Sequence, residues 1–310
     1  MLDYNIVNID CQEILPRLSE RMEYKELLTP YIIKLYKNQY DKNFLIETKC
    51  KNKADNFEDC GTNIWLDDMG HITGANFCKQ RLCPVCNYRR STMMWHKIHQ
   101  IISEFENNEF VFITLTVKNC KGEELNKTIN HLLESFRRLT NRRTWKENFV
   151  GYVRGLEITY NSVTDTFHPH IHILVATSEN YFKSDYVDIH TLRKWWTESA
   201  KLNYFVQVNI EKVKDKEKAV AEVAKYAVKM SDILETGISS QRLRATQILA
   251  SCLNGRRLIS TGGEITKKAR LLKINLDDDY DGFSARESSK FYQWENGAYY
   301  HKKIWQSSKS

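Results

Sequence analysis

Apolar positions along this chain change period several times, and each change marks an element. Phe110–Val117 reads Phe-Val-Phe-Ile-Thr-Leu-Thr-Val, a β-branched and aromatic run bounded by polar residues, and predicts a strand. Tyr152–Tyr160 and His168–Ala176 predict two more strands, with Asn161–Phe167 between them as the turn of a hairpin. Phe205–Val213 predicts a fourth. Helical periodicity fills the intervals: over 87–106, where Met93, Met94, Ile98, Ile101, Ile102 and Phe105 recur, then over Leu125–Trp145, Tyr186–Leu202, Lys216–Ile233 and Gln241–Leu253. Residues 1–48 read as mostly helical and Lys49–Asp59 as a polar linker; the tail after Lys273, with Asp277, Asp278, Asp279 and Asp281, is given no structure. This order predicts an α+β fold, a largely antiparallel sheet with helices packed on it. The expected divisions are an N-terminal helical segment and linker (1–59), a small cysteine-bearing module (60–90), a main domain (91–263) and a C-terminal tail (264–310).

Composition narrows the class. The 310 residues suffice for a substantial core, and no apolar run approaches the roughly 20 residues that span a bilayer. The N-terminus lacks a basic-then-apolar signal, so the chain is read as cytoplasmic with no membrane partner, and its eight cysteines as thiols or metal ligands. The net charge of +7 matters mainly through its placement. No acidic residue lies between Asp68 and Glu104, where Arg81, Arg89 and Arg90 fall, nor between Glu235 and Glu264, where Arg256 and Arg257 fall. Such acid-free basic segments suit a polyphosphate ligand, although they also suit an ordinary solvated surface.

Three groups of residues carry chemistry. In the strand His168-Pro-His-Ile-His172, side chains alternate faces, so His170 and His172 share one face with Leu174. A hairpin turn centred near Thr164 brings residue 157 opposite roughly 171, which offers Glu157 as a third ligand for a divalent cation. On the helix expected over 216–233, Val220, Val223, Ala224, Ala227 and Val228 form an apolar stripe, with Glu222, Lys225, Tyr226 and Lys229 opposite. Four-residue and three-residue spacings make Glu222 and Lys229 neighbours of the Tyr226 phenol, a nucleophile once a cation favours its anion. In Cys78-Lys-Gln-Arg-Leu-Cys83-Pro-Val-Cys86, three thiols have metal-ligand spacing; Cys60, ahead of Gly61, is preferred to Cys50 or His71 as the fourth. That set predicts a structural zinc site, with Arg89 and Arg90 following directly.

Taken together, Cys-Lys-Gln-Arg-Leu-Cys-Pro-Val-Cys at 78–86, Phe-Ile-Thr-Leu-Thr at 112–116, His-Pro-His-Ile-His at 168–172 and Glu-Val-Ala-Lys-Tyr at 222–226 resemble the plasmid rolling-circle replication initiators of bacteria, within the HUH endonuclease group. The likeness runs from about residue 60 to 263, including Gly255-Arg-Arg-Leu-Ile and Gly262-Gly263; the Ile-Ser-Thr before those glycines departs from it, since a tyrosine is expected there. It implies an HUH-type antiparallel sheet, Mg2+ or Mn2+ at His170 and His172, attack on origin DNA by Tyr226 to leave a 5′-phosphotyrosyl link and a 3′-hydroxyl primer, and termination assisted by Glu222. The partner it implies is single-stranded or hairpin origin DNA, with host helicase and polymerase acting beside it; Arg81, Arg89, Arg90, Lys225, Arg256 and Arg257 are the basic residues expected to bind that DNA. Two other classes compete: a zinc-stabilised, non-catalytic DNA-binding regulator, and a histidine-triad nucleotide hydrolase, which His168-Pro-His-Ile-His172 also fits.

Overall fold

The structure, a computed structural model, describes residues 11–37, 44–183, 186–225, 227–235, 237–276 and 289–303. In chain order the elements are α1 (Cys11–Lys37), α2 (Phe44–Asp59), β1 (Asn63–Leu66), β2 (Ile72–Ala75), α3 (Pro84–Ser103), β3 (Phe110–Thr116), α4 (Leu125–Thr140), α5 (Arg143–Asn148), β4 (Phe149–Asn161) and β5 (Thr166–Thr177). There follow α6 (Ile189–Ala200), β6 (Val208–Lys212), α7 (Lys216–Ala224), α8 (Met230–Leu234), α9 (Ser239–Leu253), β7 (Ile259–Gly263), α10 (Glu264–Leu271), β8 (Lys290–Glu295) and β9 (Ala298–Lys302). They divide into two compact units: residues 1–89, 236–250 and 280–310, and residues 90–235 and 251–279. Among the described residues, no helix is long and apolar enough to cross a membrane.

The second unit is built on a five-stranded antiparallel sheet in the order β6-β3-β5-β4-β7. Alternation along β5 decides what each face does. His170, His172, Leu174 and Ala176 share one face, on which Leu174 and Ala176 join Phe110, Phe112 and Val153 in a core with Met94, Ile98 and Ile101 of α3, Val220 and Val223 of α7, and Ile265 of α10. On the opposite face Ile113, Leu115, Leu156, Ile171 and Ile173 are buried, together with Leu132 and Phe136 of α4, a helix that packs on β5. Each such side chain taken from water contributes about 1.5–3 kcal/mol. Helices therefore cover both faces, and the histidines lie beyond Leu174 on their face, His170 buried and His172 half-buried.

The first unit has a four-stranded antiparallel sheet in the order β2-β1-β8-β9. Its strand β8 comes from the stretch after Lys273 and pairs with β1 in the register Asn63↔Gln293 to Leu66↔Lys290. Helix α1 buries Leu18, Met22, Leu28, Ile32 and Leu35 along one stripe, and Lys25 sits in that stripe at 3% exposure.

Several expectations need correction. Lys49–Asp59 is helix rather than linker: its residues are mostly polar, but Ala54 and Phe57, three apart, are buried and give it an inner face. Helix 125–145 is two helices, broken at Asn141–Arg142. The stretch 264–276, expected as tail, contains α10. Most consequentially, the helix expected over 216–233 ends at Ala224, where Lys225 turns to φ −54° and ψ 154°. Strand β7 accompanies the edge of β4 only as far as Leu156, whose N–H donates to Leu258 O at 2.9 Å. The next edge donor, Ile158 N–H, takes Ala227 O at 2.7 Å, and Val228 bridges Ile158 in parallel. A continuous helix would leave that strand donor without a carbonyl. The apolar stripe through Ala227 and Val228 is buried as its pattern implies, in a different backbone conformation.

Candidate metal centre and cysteine cluster

Strands β4 and β5 pair with Glu157 directly opposite His170, and β3 places Thr114 opposite His172. Glu157 Oε2 lies 2.9 Å from His172 Nε2 and 3.4 Å from His170 Nε2. The other ring nitrogens are engaged by the chain: His170 Nδ1–H donates to His168 O at 3.1 Å, and His172 Nδ1 lies 3.2 Å from the Thr114 hydroxyl. Partners at Nδ1 orient both rings so that their Nε2 atoms converge. One ligand atom from each of Glu157, His170 and His172 falls within 4.8 Å of the others, a set able to hold a metal ion. Burial alone would raise the Glu157 carboxyl, but the two imidazoles more than offset it and hold the group well below the usual carboxylate range. His168 stands outside this group. Its ring stacks on His170 at 5.2 Å, and burial, then the neighbouring His170, lower its pKa.

Glycine makes room for this arrangement. Gly155 lies opposite His172, and a Cβ there would sit 2.5 Å from the carbonyl oxygen of Val223, so α7 approaches β4 more closely than any side chain would permit. At Gly262, opposite Tyr152 on β4, a Cβ would enter the Tyr152 ring. The Tyr152 ring faces the other side of the sheet, edge-on to Phe136 at 5.0 Å, and the position before the glycines remains Thr261.

Tyr226 lies outside the described residues. Of the neighbours assigned to it, Glu222 forms an ion pair with Lys225, and Lys229, 65% exposed, stands at the N-cap of α8, 3.6 Å from Asp232. Because the helix has ended between them, Glu222 and Lys229 do not share a helical face.

Cys60, Cys78, Cys83 and Cys86 form a second metal-competent set. Cys60 Sγ lies 3.5 Å from both Cys83 Sγ and Cys86 Sγ, and Cys78 Sγ lies 3.7 Å from Cys86 Sγ. Pro84 begins α3, a position where its missing N–H costs nothing, and this puts Cys86 on the first helical turn. The backbone N–H groups of Cys78 and Lys79 donate to Cys60 Sγ at 3.3 Å and Cys86 Sγ at 3.2 Å, an environment suited to anionic sulfur. Lys25 donates its ammonium to the carbonyls of Glu58 at 2.6 Å and Cys60 at 3.1 Å, which brings a buried positive charge to a cluster that would be negative as four thiolates around a divalent ion. With no such ion, burial pushes the Cys83 thiol well above its usual range. His71 is committed elsewhere, its Nδ1 lying 2.9 Å from Asp67.

The basic residues singled out from the sequence fall in both units. The Arg89 guanidinium lies over Phe77 at 5.0 Å, Arg81 and Arg90 are half-buried, and Arg257 and Lys225 are exposed. Arg256 is half-buried and reaches Asn126 and the Cys252 carbonyl. Sequence reasoning missed Thr114 and Lys25. Thr114 belongs to a segment noted for its pattern, yet its contact depends on the non-local pairing of β3 with β5. Lys25 carried one signal, a lysine interrupting an apolar helical stripe.

The sequence of the Replication protein family matches residues 69–306. A relative named Protein rep, from Streptococcus pneumoniae serotype 2, is 34% identical over 242 residues, 71% of this chain and 73% of the relative. One from Bacillus amyloliquefaciens is 33% identical over 275 residues, 80% of each, and one from Staphylococcus aureus is 34% identical over 215 residues, 66% of this chain and 94% of the relative. No solved structure matches at a significant level. The matched span contains Cys78, Cys83 and Cys86, the Glu157/His170/His172 centre and Tyr226, and the chain belongs to the replication-protein family of plasmid replication initiators.

Proposed function

We propose that this initiator nicks one strand of its plasmid origin to start rolling-circle replication, with an HUH-type sheet as its catalytic platform. The observation that carries the reading is the convergence of Glu157, His170 and His172 to within 4.8 Å, with each Nδ1 already engaged. These three residues would hold a divalent cation, magnesium or manganese, whose contribution when bound is to neutralise charge on the scissile phosphate. The Tyr226 hydroxyl attacks phosphorus; the bond from Tyr226 oxygen to phosphorus forms, the bond to the 3′ oxygen breaks, and the phenolic proton passes to solvent as the 3′ oxygen gains one. A 5′-phosphotyrosyl link and a primer 3′-hydroxyl result. Tyr226 immediately precedes Ala227, whose carbonyl is bonded to the residue after Glu157, and this supports the assignment. Glu222 serves the closing step by accepting a proton from water or from a second attacking group. Lys225, Lys229 and the arginines at 81, 89, 90, 256 and 257 bind DNA phosphates. The four cysteines hold a structural zinc, since a full thiolate set leaves no open position.

Single-stranded origin DNA incubated with the protein and manganese, then run on a denaturing gel, tests the reading. A covalent adduct that disappears in Tyr226→Phe supports it. Binding with no adduct would instead indicate a DNA-binding regulator, and nucleotide turnover without DNA a histidine-triad hydrolase. Glu222→Ala should still nick but accumulate adduct, and equal loss of both rates would remove its termination role.

A further inference from the structure

The face bearing Glu157, His170 and His172 does not end at the metal-competent set. Strand alternation continues it towards the β4–β5 turn through Thr159 and Asn161 on one strand and His168 and Thr166 on the other, paired Thr159↔His168 and Asn161↔Thr166. Over these residues lies an open cleft of about 390 Å³, lined also by Asn119, Asp232 and Glu235. A volume of several hundred Å³ is that of a small-molecule site, and the chemistry of this one is selective. Asp232 is paired with Lys229 at 3.6 Å, and the exposed Glu235 carboxylate would repel a phosphate. Asn161 Oδ1 is already used, accepting from the N–H groups of Val163 and Thr164 at 3.0 Å each, and Asn119 Nδ2 donates to the Thr166 hydroxyl at 3.4 Å. Asn161 therefore offers a ligand its amide NH2, a donor, while the hydroxyls of Thr159 and Ser162 can accept or donate and the exposed Glu235 carboxylate is the foremost acceptor. An imidazole lines one wall, its ring continuing the stack from His170.

We infer that this cleft receives one base of the strand being cut, a base carrying an exocyclic amino group, stacked at His168 and read by Glu235. The inference rests on the proposed nicking function and supplies its sequence selectivity: an uncharged flat ring bearing amino hydrogens satisfies the acceptors, whereas thymine offers no amino group. Occupancy would also fix the register of the strand, setting which phosphate reaches Glu157, His170 and His172.

The test uses full-length Tyr226→Phe protein, which cannot form an adduct, and a fluorescent origin oligonucleotide in which each position near the nick is replaced in turn by an abasic residue. Equilibrium binding should weaken about tenfold at one position. That penalty should fall below about twofold in His168→Ala or Glu235→Ala, because their base contact is already gone. Glu235 is exposed, so its variant guards against a folding defect at His168. A penalty unchanged in both variants, or no position-specific penalty, overturns the inference. So does a manganese titration in which Glu235→Ala loses one bound ion, which would make the cleft a cation site. Adduct formation by the wild-type protein on the same oligonucleotides is scored separately: without adduct but with the position-specific penalty, the nicking reading fails and the cleft assignment stands.

Discussion

The Thr114 hydroxyl lies 3.2 Å from His172 Nδ1, across the β3–β5 pairing, on the opposite side of the ring from Glu157. A partner at Nδ1 fixes the ring's orientation and the nitrogen it offers to a cation. Thr114→Val keeps the shape and the β-branched character of the strand but removes the hydroxyl. It should weaken manganese binding about 10–100-fold with little change in melting temperature, and Thr114→Ser should restore most of the loss. Isothermal titration of the three proteins decides it; unchanged affinity in Thr114→Val would assign the hydroxyl a packing role only.

Glu157 links the centre to pH. Its carboxyl titrates below its unfolded value because the imidazoles outweigh the cost of burial. A depressed folded pKa means stability that is fully present above the ordinary carboxylate range and is lost as pH falls towards the folded value. Without metal, the wild type should thus exceed Glu157→Gln in urea stability at pH 7, and the gap should narrow steadily below about pH 4. A gap that widens below about pH 4 would contradict the assigned sign.

Gly155 joins the candidate metal centre to α7. A methyl group there would meet the Val223 carbonyl at 2.5 Å, and main-chain atoms cannot rotate aside as a side chain can. Gly155→Ala should cost about 2–4 kcal/mol, in the upper range for overpacking, measured by denaturant unfolding. Nicking should fall by more than the loss of folded protein, since the same shift displaces the Ala227–Val228 segment bonded beside Glu157.

The cysteine cluster can be probed at a sulfur and at the ammonium beside it. Cys86→Ser should release one equivalent of zinc and lower thermal stability, because metal-binding energy is folding energy in such modules. Lys25→Met preserves the length and apolar stem of the side chain but removes the ammonium bonded to Cys60 O. It should retain zinc yet surrender it to a chelator at roughly tenfold lower concentration, the ratio expected when an outer partner of a metal site is lost. Metal analysis that finds no zinc in the wild type would remove both expectations.

Much of this was legible in the chain because it is local. The β4–β5 hairpin could be registered from its turn alone, so Glu157 could be matched to the histidine strand, and the pairing falls on His170. The sulfurs of Cys83 and Cys86 are close because only two residues separate them. What was not legible depends on distant partners. Nothing in Lys216–Ile233 says that Ile158, on another strand, lacks an acceptor, yet that need accompanies the end of the helix at Ala224. The polar sequence of Lys49–Asp59 hides a helix whose inner face needs only Ala54 and Phe57. The segment 289–303 had no interpretable pattern in isolation, since β8 takes its place from β1.

The pairing of β1 with β8 also imposes an order in time. Residues 63–66 emerge from the ribosome long before residues 290–295, their hydrogen-bonding partners. At ordinary rates of synthesis the interval is roughly 10–50 s. Throughout it β1 can pair with β2 only, and its other edge stands open. The cysteine-bearing unit thus completes its sheet late in translation, so a prematurely terminated chain could carry every residue of the metal centre and still present an unfinished, aggregation-prone edge.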